Sequence, residues 1–237
     1  MKRLLVAFAF LTRLPLPRVS GDAADFAAAI RYYPIVGLVI GAIVAGAGWT
    51  GGLIDPWIGA LAALLSWVAI TGALHLDGLA DLADGLGAAH RERARLLAVM
   101  ADPHVGSFGV VAIVLQLLAK LVLLHAVGTL GWGLLVLVPF AARIGPLGWA
   151  RWLPPLRDGL GARVAAAVRA RDLIGWALVL GGAAVVLHAL VAAPLAIAAF
   201  GLWLRRRIGG ITGDCHGAGI ELVETALLLA IVAAGRL

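Results

Sequence analysis

The sequence predicts an all-α polytopic membrane bundle of about seven transmembrane helices, six if residues 173–204 form one span, with the N-terminus cytoplasmic. Three observations predict it. The 237-residue chain is 62% hydrophobic and only 14% charged, with a mean hydropathy of +1.02, whereas a soluble domain carries roughly a quarter charged residues to cover its surface. Its apolar stretches are continuous, unlike the alternating segments of about ten residues that build a barrel, and only helices and closed barrels satisfy their own backbone in lipid. Finally, the basic residues cluster on alternate connections between those stretches. A single cysteine excludes an internal disulfide framework, and the apolar composition excludes disorder.

Met1 to Leu11 is basic and apolar, but Thr12, Arg13, Pro15 and Pro17 follow it instead of a small-residue cleavage site. It therefore reads as an interfacial helix that stays attached, part of an interfacial segment 1–30 within one transmembrane catalytic domain, 1–237. A span takes about 20 apolar residues. The runs that approach this are 33–53, 57–76, 105–126, 131–150, 173–189, 191–204 and 217–235. Residues 173–204 hold no Asp, Glu, Lys or Arg. As one helix rising about 1.5 Å per residue they would overrun a bilayer, which places a tight hairpin near Ala192 to Pro194.

With the N-terminus inside, the cytoplasmic segments are 1–32, 77–104, 151–172 and 205–216. In or beside them lie all of the 19 Lys and Arg except Lys120 and Arg236. This distribution supports the division and an orientation in which the polar face looks into the cytoplasm. The net charge of +6 then sits on one membrane face, where it suits lipid headgroups or an anionic substrate and not nucleic acid.

The acidic residues carry most of the functional information. Of the 13, Asp22, Asp25, Asp55, Glu92, Asp158 and Asp172 lie in loops or at span ends. Asp77, Asp81 and Asp84 follow the second span in HLDGLADLADG. Offsets of four and three put these carboxylates within about a 60° arc on one helix face. Three ionised carboxylates on one face repel each other unless a cation sits among them. Hard oxygen donors in this number suit magnesium, Mg2+, which also binds substrate phosphates. Gly78 and Gly85 beside the trio let a phosphate or a helix approach the backbone. The plainer alternative is an acidic helix start that favours the macrodipole, and for Asp77 alone it is preferred.

Asp102, followed by Gly106, precedes the third span, and Asp214 precedes the seventh. Both reach the membrane on the same side as the trio and can converge with it. Glu221 and Glu224 lie within the last apolar run, where ionisable groups are costly and point to a polar interior. Lys120 in the third span is a counter-ion for one of them or snorkels to a surface. Arg143, Arg151 and Arg157 are phosphate-binding candidates by charge and side. His75, His104 and His216 read as hydrogen-bonding neighbours, and Cys215 as a space-filler. There is no zinc spacing, Walker loop or dinucleotide fingerprint.

The motifs LTRLPLP (Leu11 to Pro17), RYYPIVGLVIGA (Arg31 to Ala42), LHLDGLADLADG (Leu74 to Gly85), DPHVGSFGV (Asp102 to Val110) and ITGDCHGAGIELVE (Ile211 to Glu224) resemble those of the adenosylcobinamide-GDP ribazoletransferases, the cobalamin 5'-phosphate synthases. The resemblance implies a magnesium-dependent inner-membrane enzyme that joins adenosylcobinamide-GDP to α-ribazole or its 5'-phosphate and releases GMP. It implies Asp77, Asp81, Asp84, Asp102 and Asp214 as metal ligands, with Asp81 or Asp84 as the base. Gly78, Gly85, Gly106, Glu221 and Glu224 then serve substrate binding, with Arg143 added as a candidate by charge and side alone, and a homo-oligomer is compatible with the pattern. Pro103 and His104 stand where the family has Ser and often a basic residue. Two other readings remain open. A CDP-alcohol phosphotransferase also uses an Asp-rich helix, but its Ala-Arg pair after the DG and its later GxxxDxxxD are missing from Asp77 onwards. A transporter would also bury Glu221, Glu224 and Lys120, but it has no need of the trio.

Overall fold

The computed structural model describes residues 1–17, 20–88, 92–157 and 160–236. Arg18, Arg91 and Asp158, assigned above to cytoplasmic connections, lie outside the described residues. Among the described residues the regular elements are helical, and one isolated backbone bridge pairs Pro155 with Ile211.

The chain opens with two short helices, α1 (Lys2–Leu11) and α2 (Ala23–Ala29). Asp22 caps α2, its carboxylate accepting from the Asp25 N–H at 2.7 Å. Asp25 in turn ties α2 to α1 through Lys2 at 2.6 Å and Arg3 at 3.2 Å. A 3-10 turn (Ile30–Tyr32) leads into α3 (Tyr33–Gly52), so Ala23–Gly52 reads as one apolar stretch of 30 residues.

The next helix, α4 (Pro56–Thr71), starts at a strong stop-and-start signal: Asp55 accepts from Trp57 N–H at 2.7 Å, and Pro56 needs no N–H partner in the first turn. It ends at Gly72, left-handed at φ 59°, followed by Ala73 at φ 58°. Two consecutive left-handed residues turn the chain sharply, and α5 (Leu74–Ala88) departs at 84° from α4. The Arg13 N–H donates to the Ile70 carbonyl at 2.7 Å and holds the N-terminal segment against this corner. The corner corrects the expected run 57–76, whose straight part ends at Thr71, and it starts the acidic helix in a new direction.

Next come α6 (Arg93–Val99) and the long α7 (Ser107–Leu130). The stretch Trp132–Trp152 crosses in pieces: a 3-10 turn (Trp132–Val136), α8 (Leu137–Ala142) and α9 (Gly145–Trp152). After α10 (Leu160–Ala167) follow α11 (Ala170–Val186), α12 (Ala192–Arg207) and α13 (Gly213–Ala234). The expected hairpin at Ala192 to Pro194 lies elsewhere. The helix breaks at Leu187 (φ −125°, ψ 90°), and Ala192 to Pro194 open α12. A proline in a first turn costs no hydrogen bond, so Pro194 does not mark the break. Residues 173–204 are therefore two helices.

Among the described residues five stretches are long and apolar enough to cross a membrane, and six if the bent pair α4 and α5 is one span. α11, at 17 residues, is a further, shorter apolar helix. The outward face of α7 is apolar and exposed at Val111, Leu115, Leu118 and Val122, as a lipid-facing surface requires. α13 is the central element and packs against α5, α7, α8, α9 and α12.

Candidate active site

The middle of the bundle holds four charged side chains that neutralise one another. Lys120 on α7 reaches both Glu221 and Glu224 on α13, each at 2.7 Å. Arg143, which follows α8, donates to Glu224 at 2.8 Å and to the Pro139 carbonyl at 3.1 Å. Gln116 donates to the Glu221 carboxylate at 2.8 Å, and Lys120 lies 4.3 Å over the Trp67 ring. Arg143 and Glu224 are 0% exposed. Two acids matched by two bases make burial tolerable, because each charge has opposite charges and hydrogen bonds around it. The substrate contacts expected of Glu221, Glu224 and Arg143 are corrected accordingly: these residues tie α7, α8 and α13 together and do not line the cavity described below.

On one side of this network α5 crosses α13 closely. A Cβ at Gly78 would lie 2.6 Å from the Asp214 carbonyl oxygen, so only glycine permits the crossing. This contact sets Asp77 and Asp214, from different helices, on the same wall. The Thr212 hydroxyl caps α13 by accepting from the Cys215 N–H. Two backbone hydrogen bonds, from Leu156 N–H to Ile211 and from Ile211 N–H to Pro154, each 3.0 Å, draw the segment after α9 to the same place. They bring up Arg157, whose guanidinium acts electrostatically on both Asp81 and Asp214. Asp77, Asp214 and Asp84 are the like-charged neighbours of Asp81.

Asp84 has a different position. Its carboxylate accepts from the Gly106 N–H at 2.7 Å and the Gly109 N–H at 2.8 Å, capping α7 from a neighbouring helix. A helix N-terminus presents unpaired donors and partial positive charge, so a buried carboxylate is well placed there. Gly106 belongs to the same contact, since a Cβ on it would come 2.5 Å from an Asp84 oxygen, and Gly85 makes room for Met100. Gly85 and Gly106 are thus taken up by close helix packing, whereas Gly78, at the crossing, also lines the cavity described below. Asp102 stands apart: its side chain is 55% exposed and pairs with His104 at 2.7 Å. The His104 backbone N–H, and then its ring, hold the Asp102 carboxyl below the usual carboxylate range.

A cavity of about 350 Å³ opens beside the crossing. Asp77, Asp214 and Arg157 line its polar side together with His75 and His216. Its apolar lining comes in large part from the first thirty or so residues, Phe10, Leu11, Phe26, Ile30 and Tyr33, joined by Pro146, Val164, Ile211 and Ile220. The sequence places Phe10, Leu11, Phe26 and Ile30 in an interfacial segment and Tyr33 at the start of the first span, and does not reveal their place in the site. The one available signal was the density of aromatics on both flanks of LTRLPLP.

The donor set suits a hard divalent cation. Among the described residues Asp77, Asp81 and Asp214 form no salt bridge; Asp77 and Asp214 line the cavity with Arg157, and Asp81, one turn along α5, feels the charges of all three. The five-carboxylate cluster expected from the sequence does not form, because Asp84 caps α7 and Asp102 faces solvent. Among the described residues no three His, Cys, Asp or Glu side chains converge on one metal position. Magnesium needs no such cage, since it is commonly held by one or two carboxylates, with water and substrate phosphate oxygens completing its shell.

Fold and site together define a multi-pass helical membrane protein with a carboxylate-lined cavity suited to phosphate chemistry. The family profile described as cobalamin-5-phosphate synthase matches residues 3–232, and the chain belongs to that family. Among curated relatives, the adenosylcobinamide-GDP ribazoletransferase of Novosphingobium aromaticivorans is 60% identical over 99% of this chain and 98% of its own. Those of Thiobacillus denitrificans and Laribacter hongkongensis are each 50% identical, covering 97% and 100% of this chain and 94% and 99% of their own. No solved structure matches the chain.

Proposed function

We propose that the protein is an adenosylcobinamide-GDP ribazoletransferase, joining adenosylcobinamide-GDP to α-ribazole or its 5'-phosphate with release of GMP. It works in the bacterial inner membrane with its cavity open to the cytoplasm, a side supported by the basic residues on the connections around the cavity. The observation that carries the reading is the meeting of Asp77 and Asp214, from separate helices, on one cavity wall beside Asp81 and Arg157.

The reaction is a phosphoryl transfer. A ribose hydroxyl oxygen bonds to the phosphorus nearer the corrinoid, the bridging P–O bond breaks, and GMP leaves with the bond electrons. Asp81, partly buried and one turn along α5 from Asp77, takes the hydroxyl proton, a role that geometry denies to Asp84 with both its oxygens on backbone N–H groups. Arg157 steadies the diphosphate by charge. Asp77 and Asp214, with Asp81 alongside, would hold magnesium, which when bound neutralises charge on the diphosphate and the departing GMP.

The test uses purified protein in proteoliposomes with adenosylcobinamide-GDP, α-ribazole and magnesium. GMP appears only when both substrates are present and disappears on chelation of the metal. GMP release without the nucleoside, or none under any condition, would overturn the reading.

A further inference from the structure

We infer that the apolar half of the cavity is the subsite for the bicyclic aromatic base of the nucleoside acceptor, walled by Phe10, Phe26 and Tyr33 with His75 as its polar contact. This rests on the transferase reading above and extends it to the N-terminal helices. Phe10 meets Phe26 edge-on at 4.7 Å between centroids and lies roughly parallel to Tyr33 at 6.2 Å. Such a cluster offers both ring faces and edges to a planar guest.

Size selects among the pieces of the two substrates. About 350 Å³ lies at the small end of ligand pockets. It admits a bicyclic base with its ribose and is far too small for a corrin macrocycle, which must stay outside and offer only its phosphate end. Polarity then separates the base from guanine. A guanine edge carries several donors and acceptors, and an apolar aromatic wall leaves them unpaired, which is costly. A benzimidazole-type base, apolar around most of its rim, loses little there.

His75 supplies the independent observation. It is 2% exposed, lines the cavity, and has neither ring nitrogen partnered. A neutral imidazole carries one donor and one acceptor, so a buried, unpartnered one lining a cavity calls for a ligand that completes it. With the base at the aromatic end, its ribose points toward Asp77 and Asp214, where the attacking hydroxyl is needed.

Phe26→Leu keeps the wall apolar and removes one ring. In the GMP-release assay it raises KM for α-ribazole about 3–10-fold, the size of one aromatic contact, leaves KM for adenosylcobinamide-GDP at its wild-type value, and lets kcat recover at saturating nucleoside. A rise in KM for the corrinoid, or no change in either, overturns the assignment. A second measurement needs no turnover: equilibrium dialysis of the free base against wild-type proteoliposomes shows saturable binding that Phe26→Leu weakens. Absence of saturable binding to the wild type overturns the subsite. Saturable binding by a wild type that never releases GMP supports the subsite and overturns the transferase reading, so the two fail separately.

Discussion

Replacing Asp81 by Asn lowers GMP release by about 10²–10⁴-fold, the usual contribution of a positioned general base, while the protein still inserts and keeps its helix content. The expectation follows from where the three acids of α5 point. Asp84 faces α7 and accepts two backbone hydrogen bonds, so its loss would first disturb the start of that helix. Asp77 is exposed at the cavity rim, whereas Asp81 is partly buried and feels the charges of Asp77, Asp214 and Asp84 at once. Asn keeps the shape and hydrogen-bonding capacity of Asp81 but cannot take a proton or offer a full charge. Turnover measured at saturating substrates, with circular dichroism of the same preparation, checks both halves of the expectation.

Glu224→Gln destabilises the bundle by about 3–5 kcal/mol, the cost of leaving a buried charge without its partner. Glu224 accepts from Lys120 and Arg143 simultaneously, at 2.7 and 2.8 Å. Its neutralisation leaves two buried cations facing the single charge of Glu221. Arg143→Gln combined with Glu224→Gln restores the balance of one cation to one anion, so the double variant is less destabilised than Glu224→Gln alone. Thermal unfolding in detergent orders the three proteins. The same neutrality removes the reason to read Glu221, Glu224 and Lys120 as a transport path, since each has its partners within the bundle.

Long apolar runs made the helical membrane fold legible, and the four-and-three spacing of Asp77, Asp81 and Asp84 made an acidic face legible. What that spacing could not reveal is which neighbour the face meets. Asp84 shares the arc, yet about one helical turn beyond Asp81 the surface of α5 abuts the start of α7, and backbone donors claim the carboxylate. Burial of Glu221 and Glu224 was readable from their apolar surroundings. Their partners were not all readable, because Arg143 sits between α8 and α9, inside a run that prolines and glycines break into short pieces. The turn after Thr71 depended on two left-handed residues, of which only Gly72 is a turn-former by type. The aromatic wall of the cavity was hidden for a simpler reason: an apolar interfacial helix has the same composition whether it covers lipid or a cavity.

The central claim is that carboxylates from α5 and α13 serve one divalent-cation site at the cavity. Electron paramagnetic resonance of Mn2+, standing in for magnesium, tests it directly on wild-type, Asp77→Asn, Asp214→Asn and Asp102→Asn proteins in proteoliposomes. The account predicts saturable binding to the wild type, weakened by substitution at Asp77 and equally by substitution at Asp214, with Asp102→Asn indistinguishable from wild type. Binding that survives the loss of both Asp77 and Asp214, or that falls with Asp102 alone, would contradict it.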